Sequence, residues 1–187
     1  MKNLFSLFII VVLFIFSGCW PESSVAPDYS ANSDNQFLKL TNNSSSLSIE
    51  SIISDSKIID GNKGGKLKLK DKTGDIEIKA ELDIPKNAFE GSVLISAFVD
   101  NQSTSIDLFP TPFAFNKSLE LTLEYDGVDL SGYSEDEIDF YYLSAEGNLV
   151  KAEYDELKVN VSKGELKVKN AKIPHFSRYG FTKRSAE

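Results

Sequence analysis

The sequence predicts an all-β protein, an antiparallel β-sandwich, and three observations carry this prediction. Apolar and polar residues alternate with a period of two over most of the chain after Leu47, which is the pattern of strands with one buried face. Turn signals recur about every 8–12 residues, a spacing typical of sandwiches. Lysine and glutamate fill many of the polar positions, as expected for the solvent-facing side of an antiparallel sheet.

The strands can be followed in order along the domain. Residues 66–70 alternate lysine with leucine, the turn Lys72-Thr73-Gly74 follows, and residues 76–84 alternate again. Residues 93–99 are apolar on both faces, which predicts a strand in the middle of a sheet. The remaining predicted strands are 105–109, 119–125, 138–143, 149–154, 157–161 and 166–168, with turns at Glu146-Gly147-Asn148 and, as a two-residue hairpin, at Lys163-Gly164.

Two segments, residues 47–59 and 37–40, each have two interpretations. In residues 47–59 the isoleucines fit either a helix face or a strand. Residues 19–46 are rich in Ser, Asn, Asp and Pro, which predicts a disordered tether before a β-domain over 47–187. Within this tether, Phe37-Leu38-Lys39-Leu40 is an apolar island, which is either a strand docked on the domain or simply part of the tether.

Residues 1–18 have the layout of a signal peptide. Lys2 supplies the positive charge, and an apolar run from Leu4 to Phe16 follows it. A helix of that length spans about 20 Å, which is short of the roughly 30 Å that a bilayer core requires. We therefore expect cleavage, and the alternative is an uncleaved anchor.

The leader ends at the only cysteine of the chain. Phe16-Ser17-Gly18-Cys19 resembles the lipobox of bacterial lipoproteins, although an aliphatic residue is usual where Phe16 stands. The resemblance implies cleavage before Cys19, a diacylglycerol thioether on Cys19 and acyl chains, such as palmitate, that hold the protein at a membrane. Trp20 replaces the aspartate that marks inner-membrane retention, so the expected location is the outer membrane if the organism has one.

Composition excludes several function classes. Cleavage before Cys19 leaves 19 basic and 28 acidic residues, a net charge of −9 that repels nucleic acid. His175 is the only histidine, so a zinc site that needs two histidines within one chain is excluded. The only tryptophan is Trp20, beside the predicted anchor, which leaves the domain without a tryptophan to stack on sugars.

One connection, residues 126–139, is crowded with carboxylates. Clustered carboxylates suit calcium, but their spacing does not match an EF-hand. The alternative is a solvated helical turn, because Ser134-Glu135-Asp136-Glu137 fits a capping box. The acidic residues are Asp126, Asp129, Glu135, Asp136, Glu137 and Asp139.

A series of short motifs resembles the β-sandwich domain of ankyrins, netrin receptors and zonula occludens proteins, which also occurs in bacterial surface proteins. The usual tryptophan near Leu149 is missing. The resemblance implies an interaction or structural module with no enzymatic activity. In chain order the motifs are Gly64-Gly65-x-Leu67, Ile84-Pro85-x-x-Ala88-Phe89, Phe109-Pro110-x-Pro112-x-x-Phe115, Tyr141-Tyr142 and His175-Phe176-Ser177-x-Tyr179.

One relative of that domain cleaves its own chain within a His-Phe-Ser motif. By analogy, Ser177 would attack the Phe176 carbonyl while His175 takes the hydroxyl proton. The alternative is a closing strand in which Phe176 packs inward and His175 or Ser177 makes a local hydrogen bond.

The sequence thus predicts a lipid-anchored, non-catalytic module of the bacterial envelope, without cofactor or metal, that meets another envelope or surface protein. The alternative is a binder of small ligands or glycans. Its site would be lined by tyrosines, namely Tyr125, Tyr133, Tyr141, Tyr142, Tyr154 and Tyr179. A hydrolase is the least supported class, because no P-loop, HExxH, dinucleotide or nucleophile-elbow motif is present.

Overall fold

A computed structural model describes residues 36–40, 53–100 and 102–184 of the chain. These residues form two antiparallel sheets packed face to face, so the prediction of an all-β sandwich is confirmed. One sheet has six strands in the order β1-β4-β5-β11-β7-β8, and the other has five in the order β2-β3-β6-β10-β9. Within the described ranges, no helix is long and apolar enough to cross a bilayer.

The strand bounds in chain order are as follows. The strands are β1 (Ile53–Asp60), β2 (Gly65–Thr73), β3 (Ile76–Ile84), β4 (Ser92–Val99), β5 (Ser105–Phe109), β6 (Ala114–Asp126), β7 (Ile138–Leu143), β8 (Leu149–Lys151), β9 (Glu156–Asn160), β10 (Glu165–His175) and β11 (Arg178–Lys183). Two single turns of 3-10 helix, Glu135–Glu137 and Val161–Lys163, lie before β7 and β10.

Strict alternation fixes the strands and the core between the sheets. In β3, Ile78, Ala80 and Leu82 are buried while the residues between them are partly exposed. Each isoleucine or leucine side chain buried in this way contributes about 1.5–3 kcal/mol. The hydroxyl of Tyr125 on β6 crosses the core and donates to the carbonyl of Ser105 on β5 at 3.2 Å, which ties the two sheets together.

The Lys163-Gly164 hairpin prediction is wrong in its length. The β9 strand ends at Asn160, whose side chain accepts the N–H of Lys163 at 3.1 Å and caps a turn of 3-10 helix. Gly164 then takes a left-handed conformation with φ of 68°, and β10 begins at the next residue. The connection therefore has four residues, because the Asn160 cap extends the turn.

The β10 strand is longer than the predicted segment 166–168. A register shift against β6 lies between Val168 and Ala171, where Asn170 has a φ of 51°. Such a bulge inserts one extra residue, so the inward positions change phase. The sequence pattern breaks at the bulge, although the strand continues to His175.

The two ambiguous segments are resolved where the structure describes them. Residues from Ile53 onward form β1 and not a helix, whereas 47–52 lie outside the described residues. The apolar island docks on the six-stranded sheet. Leu38 donates its N–H to the Phe181 carbonyl at 2.9 Å, and its own carbonyl accepts from Thr104 at 2.8 Å. The folded part of the chain thus includes residues 36–40, within the range predicted as tether.

Candidate interaction surface

The outer faces of the two sheets differ in chemistry. On the five-stranded sheet, the outward positions carry lysine opposite glutamate or aspartate. Lys66 lies 2.7 Å from Glu81 and 2.8 Å from Asp83, and Lys172 lies 2.5 Å from Glu120. This charged face is a solvated, internally compensated surface.

The pKa values on the charged face follow from these contacts. The ammonium groups of Lys66 and Lys68 lower the pKa of Glu81. Hydrogen bonds from Lys79 and Lys70 lower the pKa of Glu77. Both carboxylates are thus held ionised by their neighbours, which makes this face costly to dehydrate against a partner.

The six-stranded sheet presents an apolar patch, which we define as Ile58, Leu94, Phe98 and Phe109. Ile58 on β1 is 70% exposed, and Leu94, its direct neighbour on β4, is 56% exposed. The rings of Phe98 and Phe109 are half-buried and meet edge to face with centroids 5.5 Å apart. These four side chains share one face because outward positions on paired strands lie side by side.

The surroundings of the apolar patch are neutral. Ser56 and Ser96, which lie opposite each other, are joined by a hydrogen bond of 2.8 Å between their hydroxyl oxygens. Beside Phe98, Asp107 and Arg178 form a bidentate ion pair with N–O distances of 2.8 and 3.0 Å. The two opposite charges of this pair cancel, and both side chains are largely buried. The patch therefore costs less to desolvate than the charged face of the five-stranded sheet.

The docked segment covers the same sheet beside the patch. The Phe37 ring lies against Gly180, where an added Cβ would come within 2.7 Å of the ring and 2.6 Å of the Thr104 carbonyl. Thr182 donates its hydroxyl to the Gln36 carbonyl. Residues 36–40 thus shield β11, whereas Ile58 and Leu94 on β1 and β4 stay exposed.

The His175-Phe176-Ser177 motif spans the last residue of β10 and the turn into β11, and its three side chains make different contacts. Phe176 is buried, which confirms the inward packing predicted for it. The Ser177 hydroxyl donates to the Leu143 carbonyl at 2.5 Å, while His175 Nδ1 lies 3.3 Å from the Phe176 carbonyl oxygen. Among the described residues no hydrogen bond joins His175 to Ser177, and the Ser177 hydroxyl is engaged by the Leu143 carbonyl.

The tyrosines considered as a ligand site are not gathered at one place. Tyr125 and Tyr179 are fully buried in the core, and burial raises the pKa of both. Tyr179 donates its hydroxyl to the His175 carbonyl at 2.8 Å. The Tyr154 hydroxyl donates to Asp139 at 2.6 Å, so these phenols serve internal hydrogen bonds.

The acidic connection contains the predicted turn. Residues Glu135–Glu137 form one 3-10 turn, and the Glu137 carboxylate accepts the Ser134 N–H at 3.0 Å. Lys183, at 2.9 Å, together with the Ser134 N–H lowers the pKa of Glu137 to about 2. Nowhere in the described part of the chain do three or more His, Cys, Asp or Glu side chains group so that they could hold a metal ion.

Asp139 does not belong to the acidic turn. It is the second residue of β7, its side chain is 1% exposed, and Lys151 Nζ lies 2.8 Å and Arg184 Nε 3.2 Å from its Oδ2. Neither contact has hydrogen-bond geometry, so charge alone compensates this oxygen. The predicted lipidation residue Cys19, with the rest of the lipobox, lies outside the described residues.

Comparisons with known proteins add no relative. No family model matches the chain, and searches of the curated proteins and of the solved structures return no match. The resemblances to the lipobox and to the ankyrin-type sandwich domain stay predictions from the sequence.

The apolar patch was not predicted from the sequence. Its signal was the segment 93–99, which is apolar on both faces. In a two-layer sandwich only one face of each strand enters the core, so the second apolar face of such a strand is left for solvent or a partner.

Proposed function

We propose that the protein is a lipid-anchored, non-catalytic module of the bacterial envelope that docks another envelope protein through the apolar patch. The observation that carries this proposal is the exposure of Ile58 and Leu94, side by side, on a neutral sheet face. Contiguous exposed apolar side chains mark interaction sites when the rest of the surface is polar. The opposite face, with its compensated charges, lacks this property.

A protein partner suits the patch better than the other classes. A net charge of −9 after cleavage opposes nucleic acid and anionic headgroups. Aromatic and aliphatic side chains in a neutral setting fit the apolar centre of a protein–protein interface, with Arg178 and Asp107 at its rim.

Anchoring is supported by the leader and by the lone Cys19. Two or three acyl chains attach a protein stably, whereas one chain gives marginal and reversible binding. Outer-membrane residence, in an organism with that membrane, follows from Trp20 at the position after the cysteine.

The anchor is tested by replacing its thiol. We expect Cys19→Ser to leave the precursor unprocessed and to abolish labelling by a fatty-acid analogue, because serine has no thiol to carry the thioether. Ser17→Ala is the control, since it keeps a small residue and should leave both readouts unchanged. Normal processing and labelling of Cys19→Ser would contradict the anchor.

The docking surface is tested by placing a charge in the patch. We expect Leu94→Asp to lower cross-linking between the acylated protein and its envelope partner in cells at least tenfold, which corresponds to about 1.4 kcal/mol. The measurement uses a photo-cross-linking residue at position 109, with adducts identified by mass spectrometry. Because Leu94 is 56% exposed, unfolding should change by no more than about 0.5 kcal/mol.

Val150→Asp is the matched control for the patch. Val150 is also an exposed apolar residue of the six-stranded sheet, 38% exposed, but it lies on β8 at the opposite edge. We expect this variant to cross-link as the wild type does. Equal losses in both variants, or none in Leu94→Asp, would show that the patch is not the docking surface.

A further inference from the structure

The outer edge of β1 ends the six-stranded sheet, and its backbone groups point outward at alternate residues. The Gly61 N–H donates to the Gly91 carbonyl at 2.8 Å, which continues the ladder between β1 and β4. Odd-numbered residues of β1 therefore bond to β4, and Ser54, Ser56 and Ile58 direct their backbone groups away from it. Among the described residues, no strand pairs with this edge.

A side chain already satisfies one of these outward groups. The Ser56 N–H donates to the Asp55 Oδ1 of the preceding residue at 2.8 Å, which fits an N–H that faces away from the sheet. Asp55 and Lys57 are both exposed on the opposite side of the strand from Ile58, and the Lys57 ammonium makes one long contact, 3.4 Å to the Lys66 carbonyl. The edge thus carries one acid and one base, two residues apart, on either side of Ser56.

This arrangement is complementary to itself in one register. If two copies of β1 pair antiparallel with Ser56 opposite Ser56, Asp55 of each copy lies opposite Lys57 of the partner subunit. Shifting the pairing by two residues in either direction places Lys57 opposite Lys57 or Asp55 opposite Asp55. Opposite charges facing each other across strands are favourable, and like charges are unfavourable.

The backbone selects the same register. Outward-pointing residues of both strands must face each other to exchange two hydrogen bonds per pair. With Ser56 on the two-fold axis, Ser54 faces Ile58 of the partner subunit, so the facing residues all belong to the outward set. Pairing exchanges the Asp55 contact of the Ser56 N–H for the carbonyl of Ser56 of the partner subunit, and this releases the Asp55 carboxylate to face Lys57 of the partner subunit.

We propose that β1 is a self-association edge that pairs antiparallel with β1 of a second copy, with the two-fold axis at Ser56. The two six-stranded sheets then form one continuous sheet. The outward side chains of both strands lie on one side of it, so the two apolar patches become a single surface. This pairing involves no lipid, and it stands or falls independently of the anchor and of the docking partner.

The alternative use of the same residues is protection of the edge. Charged residues on the core side of an edge strand keep monomers apart, and the Asp55 bond to Ser56 would then serve a free edge. Self-association predicts that a cysteine at position 56 forms a disulfide between two copies, whereas edge protection predicts that it does not.

The test uses the full chain carrying Ser56→Cys. In an antiparallel hydrogen-bonded pair the facing Cα atoms are about 5.5 Å apart, a spacing that a disulfide can span. Under copper-phenanthroline oxidation we expect a dimer of twice the monomer mass on a non-reducing gel. Ser54→Cys is the matched control on the same face of β1. In this register the two copies of residue 54 are offset by four residues along the strand, so their Cα atoms lie about 13 Å apart in that direction. Ser54→Cys should therefore cross-link at least tenfold more slowly.

The control also accounts for the natural thiol. Both variants retain Cys19, so any cross-link through that residue appears equally in each. Equal dimer yields from Ser56→Cys and Ser54→Cys, or none from either, would overturn the proposal and assign the charges to edge protection.

Charge exchange gives a second readout in the Ser56→Cys background. We expect Lys57→Asp or Asp55→Lys alone to lower the cross-linking rate at least tenfold, because like charges then face each other. The double variant Asp55→Lys/Lys57→Asp should restore the rate to within twofold of the parent. If the double variant stays as slow as the single ones, the complementary register is wrong.

Discussion

Replacing Phe176 by alanine is expected to lower the free energy of unfolding by about 4 kcal/mol. The side chain is 2% exposed and lies in an aromatic cluster beneath the turn between β10 and β11. Its ring meets Phe115 edge to face at 4.7 Å and lies 5.8 Å from Phe113. The Phe176 N–H also donates to the Phe113 carbonyl at 3.1 Å, so the backbone holds the ring in place. Alanine would leave a cavity that these rigid rings cannot fill.

Phe109→Ala is the matched control for this loss. Phe109 is the same residue type, but it is half-buried in the apolar patch and its ring meets Phe98 at 5.5 Å. We expect it to cost about 1 kcal/mol, since solvent already reaches the ring. The measurement is urea unfolding of the detergent-solubilised chain followed by circular dichroism. A loss in Phe176→Ala no larger than in Phe109→Ala would contradict the packing role.

The observed contacts of the His-Phe-Ser motif are structural. Phe176 anchors the aromatic cluster, Ser177 holds the Leu143 carbonyl on β7, and Tyr179 holds the His175 carbonyl. The three contacts pin the turn that carries the chain from one sheet to the other. A motif of this composition therefore has a reason to exist that requires no chemistry at the Phe176–Ser177 bond.

Strand positions were predictable because burial alternates with the pleat. Residues 76–84, 105–109 and 138–143 coincide at both ends with β3, β5 and β7. The prediction loses accuracy where the pleat is interrupted. The bulge near Asn170 moves the inward positions by one, and after Lys151 the chain leaves the β7–β8 ladder, so 149–154 is only half strand.

The apolar patch was less predictable than the strands, because the exposure of an outer sheet face depends on which other segments pack on it. The segment 93–99 was correctly placed inside a sheet, since β4 lies between β1 and β5. Its two apolar faces were compatible with burial on both sides. The structure buries Ile95, Ala97 and Val99 and leaves Leu94 to solvent. A two-layer sandwich implies that one face of this strand is exposed, but the composition of the segment does not say which face.

The burial of Asp139 was also not predictable from the local sequence. In the sequence it is the last of six carboxylates in an acidic stretch, and nothing local separates it from Asp136 or Glu137. In the structure its side chain is buried and contacts Tyr154, Lys151 and Arg184, which come from later parts of the chain. Only the pairing of β7 with β8 and β11 brings these groups together.

Asp139→Asn is expected to lower the free energy of unfolding by about 3 kcal/mol at neutral pH. The carboxylate accepts the Tyr154 hydroxyl at 2.6 Å and the Phe140 N–H at 2.8 Å through Oδ1, while two cations face Oδ2. An amide keeps the size of the side chain but loses the negative charge. Lys151 and Arg184 are about half exposed, so solvent relieves part of their loss and the cost falls at the low end for a buried pair.

The pH dependence of this variant separates charge from packing. Burial alone would raise the pKa of Asp139, but the contacts with Lys151, Tyr154 and the Phe140 N–H outweigh it and lower the pKa below its ordinary value of 3.8. A carboxyl whose pKa is lower in the folded state stabilises the fold above its unfolded pKa. That contribution disappears as the pH falls through the folded pKa. The gap in stability between wild type and Asp139→Asn should therefore be constant from pH 7 to about 5 and narrow below about pH 4.

Asp129→Asn is the control for the acid limb. Asp129 also has a lowered pKa, caused by its hydrogen bonds with Ser131, but it is exposed, and no cation among the described residues contributes to that shift. Because its side chain is exposed, Asp129→Asn should unfold at the same urea concentration as the wild type at neutral pH. The remaining carboxylates with lowered pKa values, such as Glu137, are common to all three proteins and cancel in the comparison. If the gap for Asp139→Asn stayed constant down to pH 2, its loss would come from packing, and the buried carboxylate would not be the charge that holds β7, β8 and the end of β11 together.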